Sequence, residues 1–199
     1  MLVGFDFDNT LISYDRLFHS VALGKGMIPE EVTPLKNAVR DYLRKQGREE
    51  DWTRLQGEVY GSRILEAEAF PGVKAALRWL AGKELPMCIV SHKTRTPYLG
   101  EPWDLHAAAR GWLERQGLYG SSDSGLPENQ VFFELTKVAK VERICALGCT
   151  HYVDDLPEIL AMLPSNIEKI LFAPNDDSGD DGWQLMRSWQ ELPTILKLQ

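Results

Sequence analysis

Leu2-Val3-Gly4-Phe5-Asp6-Phe7-Asp8-Asn9-Thr10 is the stretch that decides the fold. A brief apolar run ends directly in two acids spaced i and i+2, followed by two turn-forming residues. A run this short, bounded by polar residues, predicts a buried strand of a parallel sheet. Ligands of open parallel sheets bind outside the carboxyl ends of the strands, where Asp6 and Asp8 fall. In extended chain, side chains two apart project to the same side. Two like charges held so close call for a cation between them, and a divalent metal with oxygen ligands is the usual one. A plain turn and helix cap would account for Asn9 and Thr10, but not for an acid at the end of an apolar strand.

The rest of the chain continues the pattern. Met87-Cys88-Ile89-Val90 and His151-Tyr152-Val153 are two further buried strands, with weaker ones at Val131-Phe132-Phe133 and Lys169-Ile170-Leu171-Phe172. Helical spacing recurs between them. Val73, Ala76, Leu77 and Leu80 stop at Gly82. Leu105, Ala108, Ala109 and Trp112 run from Asp104, an N-cap residue, to Gly117. Val138, Val141 and Cys145 close at Gly148, and Leu156 to Leu163 closes at Pro164. Strands alternating with helices predict an α/β fold with a mainly parallel sheet.

One segment breaks the alternation. Residues 13–70 show helical pattern over 15–23, 33–46 and 50–68 with no strand, too long for a simple crossover. An all-helical insertion over 13–70, rooted on a core of 1–12 and 71–199, is expected. The Ser- and Asp-rich stretches 121–125 and 175–182 read as surface loops.

Composition bounds the function. The chain has 199 residues, 44% hydrophobic and 26% charged, which is globular and large enough to fold without a disulfide or metal staple. Twenty-two Lys and Arg against twenty-nine Asp and Glu leave a net charge of −7 and a pI near 5.2. That balance argues against nucleic acid or an anionic membrane as partner. Three cysteines at unremarkable spacing suit a reducing compartment. Asp6 leaves no room for a signal peptide and no apolar run reaches ~18 residues, so a cytoplasmic location is expected.

Three further elements carry chemistry. Ser91 follows the second strand, where a hydroxyl can hydrogen-bond a phosphate oxygen. A lysine, Lys137 or Lys140, precedes the third strand. Asp154 and Asp155 follow it, two acids where a helix cap needs one. Other signals are discounted. Gly24-Lys25-Gly26 lacks the remaining positions of a phosphate loop, and the acids of 176–181 fit no calcium-loop register. Cys145 and Cys149 lack zinc-ligand companions and are expected in the core, while Trp103 and Trp112 are expected to pack.

In order, these elements are DxDxT, Ser, Lys and DD. The order resembles the haloacid dehalogenase-like (HAD) superfamily, as does Phe70-Pro71-Gly72-Val73 where the chain re-enters the core. The resemblance implies a Rossmann-like core and a helical insertion of the C1-cap type. It implies Asp6 as nucleophile forming an aspartyl phosphate and Asp8 as general acid and base. Ser91 and Lys140 would hold the phosphoryl oxygens; Lys140 fits the motif better than Lys137. Mg²⁺ would be held by Asp6, the backbone carbonyl of Asp8, and the Asp154-Asp155 pair, with Asp155 as direct ligand and Asp154 supporting it. An acid at position 8 favours phosphate esters over halides. The expected function is a Mg²⁺-dependent phosphatase acting on a small phosphorylated metabolite. A phosphomutase is the alternative within the superfamily, and a receiver-like or idle phospho-aspartate module the alternative outside it. Substrate choice would lie in the insertion, whose Arg40, Arg44, Lys45 and Arg63 are equally readable as solvated helix faces.

Overall fold

The computed structural model describes residues 1–119, 125–175 and 182–198. Its strands are β1 (Val3–Phe5), β2 (Ile12–Ser13), β3 (Glu68–Ala69), β4 (Met87–His92), β5 (Val131–Glu134), β6 (His151–Asp154), β7 (Glu168–Phe172) and β8 (Gln184–Met186). Its helices are α1 (Asp15–Gly24), α2 (Lys36–Lys45), α3 (Glu49–Tyr60), α4 (Val73–Gly82), α5 (Leu105–Arg115), α6 (Lys137–Leu147), α7 (Pro157–Met162) and α8 (Leu192–Ile195). Six strands form a sheet in the order β5-β4-β1-β6-β7-β8, and every pairing is parallel. The strand order reverses direction at β1, so the topological switch point lies where Asp6 and Asp8 leave the sheet. This is the α/β, Rossmann-like core expected from the sequence.

Two compact units make up the chain. One comprises Met1–Ile12, Ala69–Lys93 and Gln116–Gln199; the other comprises Ser13–Glu68 and Thr94–Arg115. The second unit thus includes α5, which the sequence reading kept with the core. Its helical spacing showed an apolar face without saying which partner that face meets. Trp112, fully buried, donates its indole N–H to the Ala67 carbonyl at 2.8 Å. Within this unit Tyr14, Phe18, Trp52 and Tyr60 stack edge-on and tilted with centroids 4.9–6.2 Å apart. The segment is not wholly helical. Residues of β2 and β3 pair in a two-stranded ribbon, and α3 ends at Tyr60 because the backbone turns at Gly61. A Cβ at Gly61 would stand 2.7 Å from both the Gly57 carbonyl oxygen and the Trp103 ring, so the turn there requires glycine.

In the sheet-bearing unit, one face of β4 and β6 packs Cys88, Val90 and Tyr152 against Ile144 of α6 and Ile159 and Leu160 of α7. On the other face Trp189 packs its ring 5.5 Å from Phe5 and 5.7 Å from Phe172. Two packing expectations are corrected here. Helix α6 turns Val138 to solvent and buries Lys140 and Ile144 instead, and Cys145 is exposed while Cys149 is buried. A buried lysine sits where apolar periodicity looks for an aliphatic residue, so periodicity alone points to the wrong face. Strand β8, three residues with no apolar run, carries no strand signal in the sequence. The stretches 121–124 and 176–181 read as loops lie outside the described residues.

Gly4 lets the central strands close on one another. Its neighbour in register is Tyr152, whose fully buried phenol donates to the Val90 carbonyl and locks the ring. An ideal Cβ at Gly4 would lie 2.7 Å from the Tyr152 ring and 3.0 Å from the Cys149 sulfur. Neither neighbour can swing away. Gly4→Ala is therefore expected to destabilise the fold by about 1–3 kcal/mol, the usual range for an overpacked core. Urea unfolding of the purified variant checks this, with Gly24→Ala, where no atom lies within 4 Å of the added carbon, as the tolerated control.

Candidate active site

Asp6 directly follows β1, and its backbone N–H still donates to Val153 O at 2.9 Å. The side chain leaves the sheet at its carboxyl edge and is 6% exposed. Beyond it the chain turns sharply. Asn9 adopts φ 57°, and the N–H groups of Thr10, Leu11 and Ile12 all point back at the Phe7 carbonyl. This turn presents Asp8 at the same rim, with 22% of its side chain exposed.

Two neighbouring strand ends and one helix converge on Asp6. Ser91 of β4 donates its hydroxyl to Asp6 Oδ1 at 2.8 Å. Lys140 of α6 donates to the same oxygen at 2.6 Å and to Asp154 Oδ2, at the end of β6, also at 2.6 Å. Asp154 Oδ1 accepts the Leu156 N–H at 2.9 Å, so both of its oxygens are engaged. The Lys140 backbone is carried by a helix whose N-cap, Thr136, accepts the Ala139 N–H. Lys137, one turn earlier, instead pairs with Glu158 on the surface at 2.6 Å. The four sequence elements thus meet at one place, and of the two lysines it is Lys140 that reaches it.

The charge balance of this cluster is uneven. Burial by itself would lower the Lys140 ammonium, but the carboxylates of Asp6 and Asp154 outweigh it and raise its pKa. Asp154 is pushed up to about 7, first by burial and then by the charge of Asp6. One ammonium cannot satisfy two carboxylates. Asp155, half-buried beside them, adds a third, and Asp6, Asp154 and Asp155 each place an oxygen within 4.8 Å of the others. Three carboxylates gathered in this way are an all-oxygen donor set, which fits a hard divalent cation such as Mg²⁺.

Lys93 was not singled out in the sequence. It lies just past β4, its N–H donating to Glu134 O at 2.9 Å, and its side chain is 3% exposed. The ammonium reaches both Asp8 oxygens, at 3.0 and 2.9 Å. Its spacing from Ser91 matches that of Asp8 from Asp6, a signal readable once β4 and β1 are known to be neighbours. His92, between them, falls on the opposite side by strand alternation. In the helical unit, Arg40, Arg44 and Arg63 pair with Asp41, Glu49 and Glu66 on the surface, contacts of small energetic weight.

No family model and no curated protein matches this sequence. Solved structures do. A HAD-family hydrolase from Deinococcus radiodurans, described with bound phosphate and sodium, superposes with a TM-score of 0.61 at 16% identity, covering 98% of this chain and 94% of that one. A predicted phosphatase from Clostridium acetobutylicum gives 0.61 at 19%, covering 99% and 98%. A HAD phosphatase from Thermococcus onnurineus gives 0.53 at 17%, covering 98% and 97%. The fold is that of the HAD hydrolases. No helix among the described residues is long and apolar enough to cross a membrane.

The carboxylate cluster makes a direct prediction. Mg²⁺ should raise the thermal unfolding midpoint, since a ligand at ~100 times its Kd adds about 2.7 kcal/mol to stability. Asp154, raised to about 7, takes a proton as pH falls through that value, and a protonated carboxyl competes with the metal. The Mg²⁺-induced shift should therefore be larger at pH 8 than at pH 6, and should shrink in Asp155→Asn. Differential scanning fluorimetry over a Mg²⁺ series measures it, and an equal shift in Asp155→Asn would exclude this cluster as the site.

Proposed function

We propose that this chain is a HAD-type phosphatase that hydrolyses a small phosphate monoester with Mg²⁺, through an aspartyl phosphate on Asp6. The observation that carries the proposal is the meeting of Ser91 and Lys140 on one oxygen of Asp6. A carboxylate whose neighbours are a hydroxyl and an ammonium is a nucleophile flanked by ready-made donors for phosphoryl oxygens.

Asp6, Asp154, Asp155 and the Asp8 carbonyl would hold the metal. When bound, Mg²⁺ supplies the positive charge that offsets repulsion between a carboxylate and an anionic phosphate. Asp6 attacks phosphorus, forming an O–P bond as the ester O–P bond breaks. Lys140 and Ser91 hold the equatorial oxygens, where charge accumulates. Asp8 passes a proton to the departing alcohol, then takes one from the water that cleaves the acyl phosphate. Inorganic phosphate leaves and Asp6 is restored. Phosphate-ester chemistry is preferred over halide displacement because halide departure needs no proton donor at position 8.

Asp6, Ser91 and Lys140 are almost inaccessible, which favours a slender phosphorylated metabolite over a folded phosphoprotein. The net charge of −7 disfavours polyanionic partners. A cytoplasmic location is part of the same proposal.

Asp6→Asn should abolish turnover of every ester, because the amide cannot attack phosphorus. Asp8→Asn should lower it by roughly 10²–10⁴-fold, the usual contribution of general acid–base catalysis. Because the missing base slows the second half-reaction, a phosphoryl group should accumulate on Asp6 in that variant. Mass spectrometry after an acid quench with an aryl phosphate and Mg²⁺ locates it. Phosphate found on Ser91 or His92 would overturn the mechanism.

A further inference from the structure

We propose that Lys93 is a positioning residue for Asp8, holding its carboxylate towards the leaving-group side of the reaction; this rests on the phosphatase function proposed above. The two acids after β1 have separate partners. Ser91 reaches Asp6 and Lys93 reaches Asp8, and the same offset of 85 residues separates the members of each pair. The acids just past β1 and the donors at the end of β4 thus meet as i and i+2 pairs, one residue beyond the register of the ladder that joins these two parallel neighbours.

The geometry suits alignment of a side chain. Asp8 lies beyond the last residue of β1, on a turn whose next residue is left-handed, and is partly exposed. Lys93 is anchored at both ends. Its N–H extends the β4–β5 ladder to Glu134 O, and its ammonium lies 5.5 Å from the centroid of the Phe7 ring, which itself packs edge-on to Phe133 at 5.6 Å. Side-chain freedom is lost by burial of a long stem, 3% exposed, so the ammonium is a fixed point rather than a mobile surface charge. Contact with both oxygens of Asp8 sets the plane of the carboxylate as well as its place. A proton-transfer group misplaced by about 1 Å costs on the order of 10²-fold. A lysine used only to fill space would have no reason to contact both oxygens.

A double-mutant cycle on a series of aryl and alkyl phosphate monoesters tests this. The quantity is kcat/KM, which covers steps through release of the alcohol, plotted against leaving-group pKa. Lys93→Met should lose roughly 10–100-fold on alkyl esters and little on aryl esters, steepening the plot as Asp8→Asn does. In the Asp8→Asn background the same change should cost at most about two- to threefold, because nothing remains to be positioned. Lys93→Arg should restore most of the loss. Should Lys93→Met fail to fold, Lys93→Gln, which keeps one donor, is read in the same cycle. An equal loss on all esters, or losses that multiply with those of Asp8→Asn, would overturn the positioning role while leaving the phosphatase standing. Wild-type protein that hydrolyses none of the esters in Mg²⁺ would instead remove the phosphatase and, with it, this role.

Discussion

A single buried ammonium ties the site to the fold. Lys140, 1% exposed, bridges Asp6 at the end of β1 and Asp154 at the end of β6. Taking three charges out of water costs several kcal/mol per ion, and their mutual attraction repays it only when geometry is good and the remaining acceptors are filled. Both conditions hold at Asp154, whose second oxygen takes the Leu156 N–H. Removing the ammonium would leave two carboxylates facing each other in a poorly solvated place. The helix bearing Lys140, the strands bearing the acids and the residues between them are thereby held in one arrangement.

That arrangement needs the central strands close together. Gly4 allows the Tyr152 ring to lie over β1, and the Tyr152 phenol reaches the Val90 carbonyl of β4 across it. The aromatic ring also lies 5.7 Å below the Lys140 ammonium, adding a favourable face to a desolvated cation. Packing and electrostatics therefore act on the same residues. The rim of the sheet is held where two lysines grip three acids, and the gathered carboxylate oxygens are what suit it to a divalent metal.

Much of this was legible in the chain. Short apolar runs ending in reactive residues marked the three strands that deliver Asp6, Ser91 and Asp154, because a parallel strand buried on both faces has no room for polar residues until it ends. Helix α6 was legible as a helix through its repeat and Gly148, yet its buried face was not. Periodicity assumes that burial means apolar, and Lys140 is buried because two carboxylates receive it. Helix α5 shows a related limit: an apolar stripe states that a partner exists and says nothing of which one.

What the sequence by itself determined is local and periodic: the α/β alternation and the clustering of reactive residues just beyond strand ends. These follow from bond geometry and from the burial of apolar surface, which act along the chain. Tertiary structure alone decided which residues meet. Lys140 was chosen over Lys137 by the direction of one helical turn, and Lys93 was joined to Asp8 by the register of two strands distant in sequence. Charge pairing depends on distances in space, and those exist only once the sheet has ordered its strands.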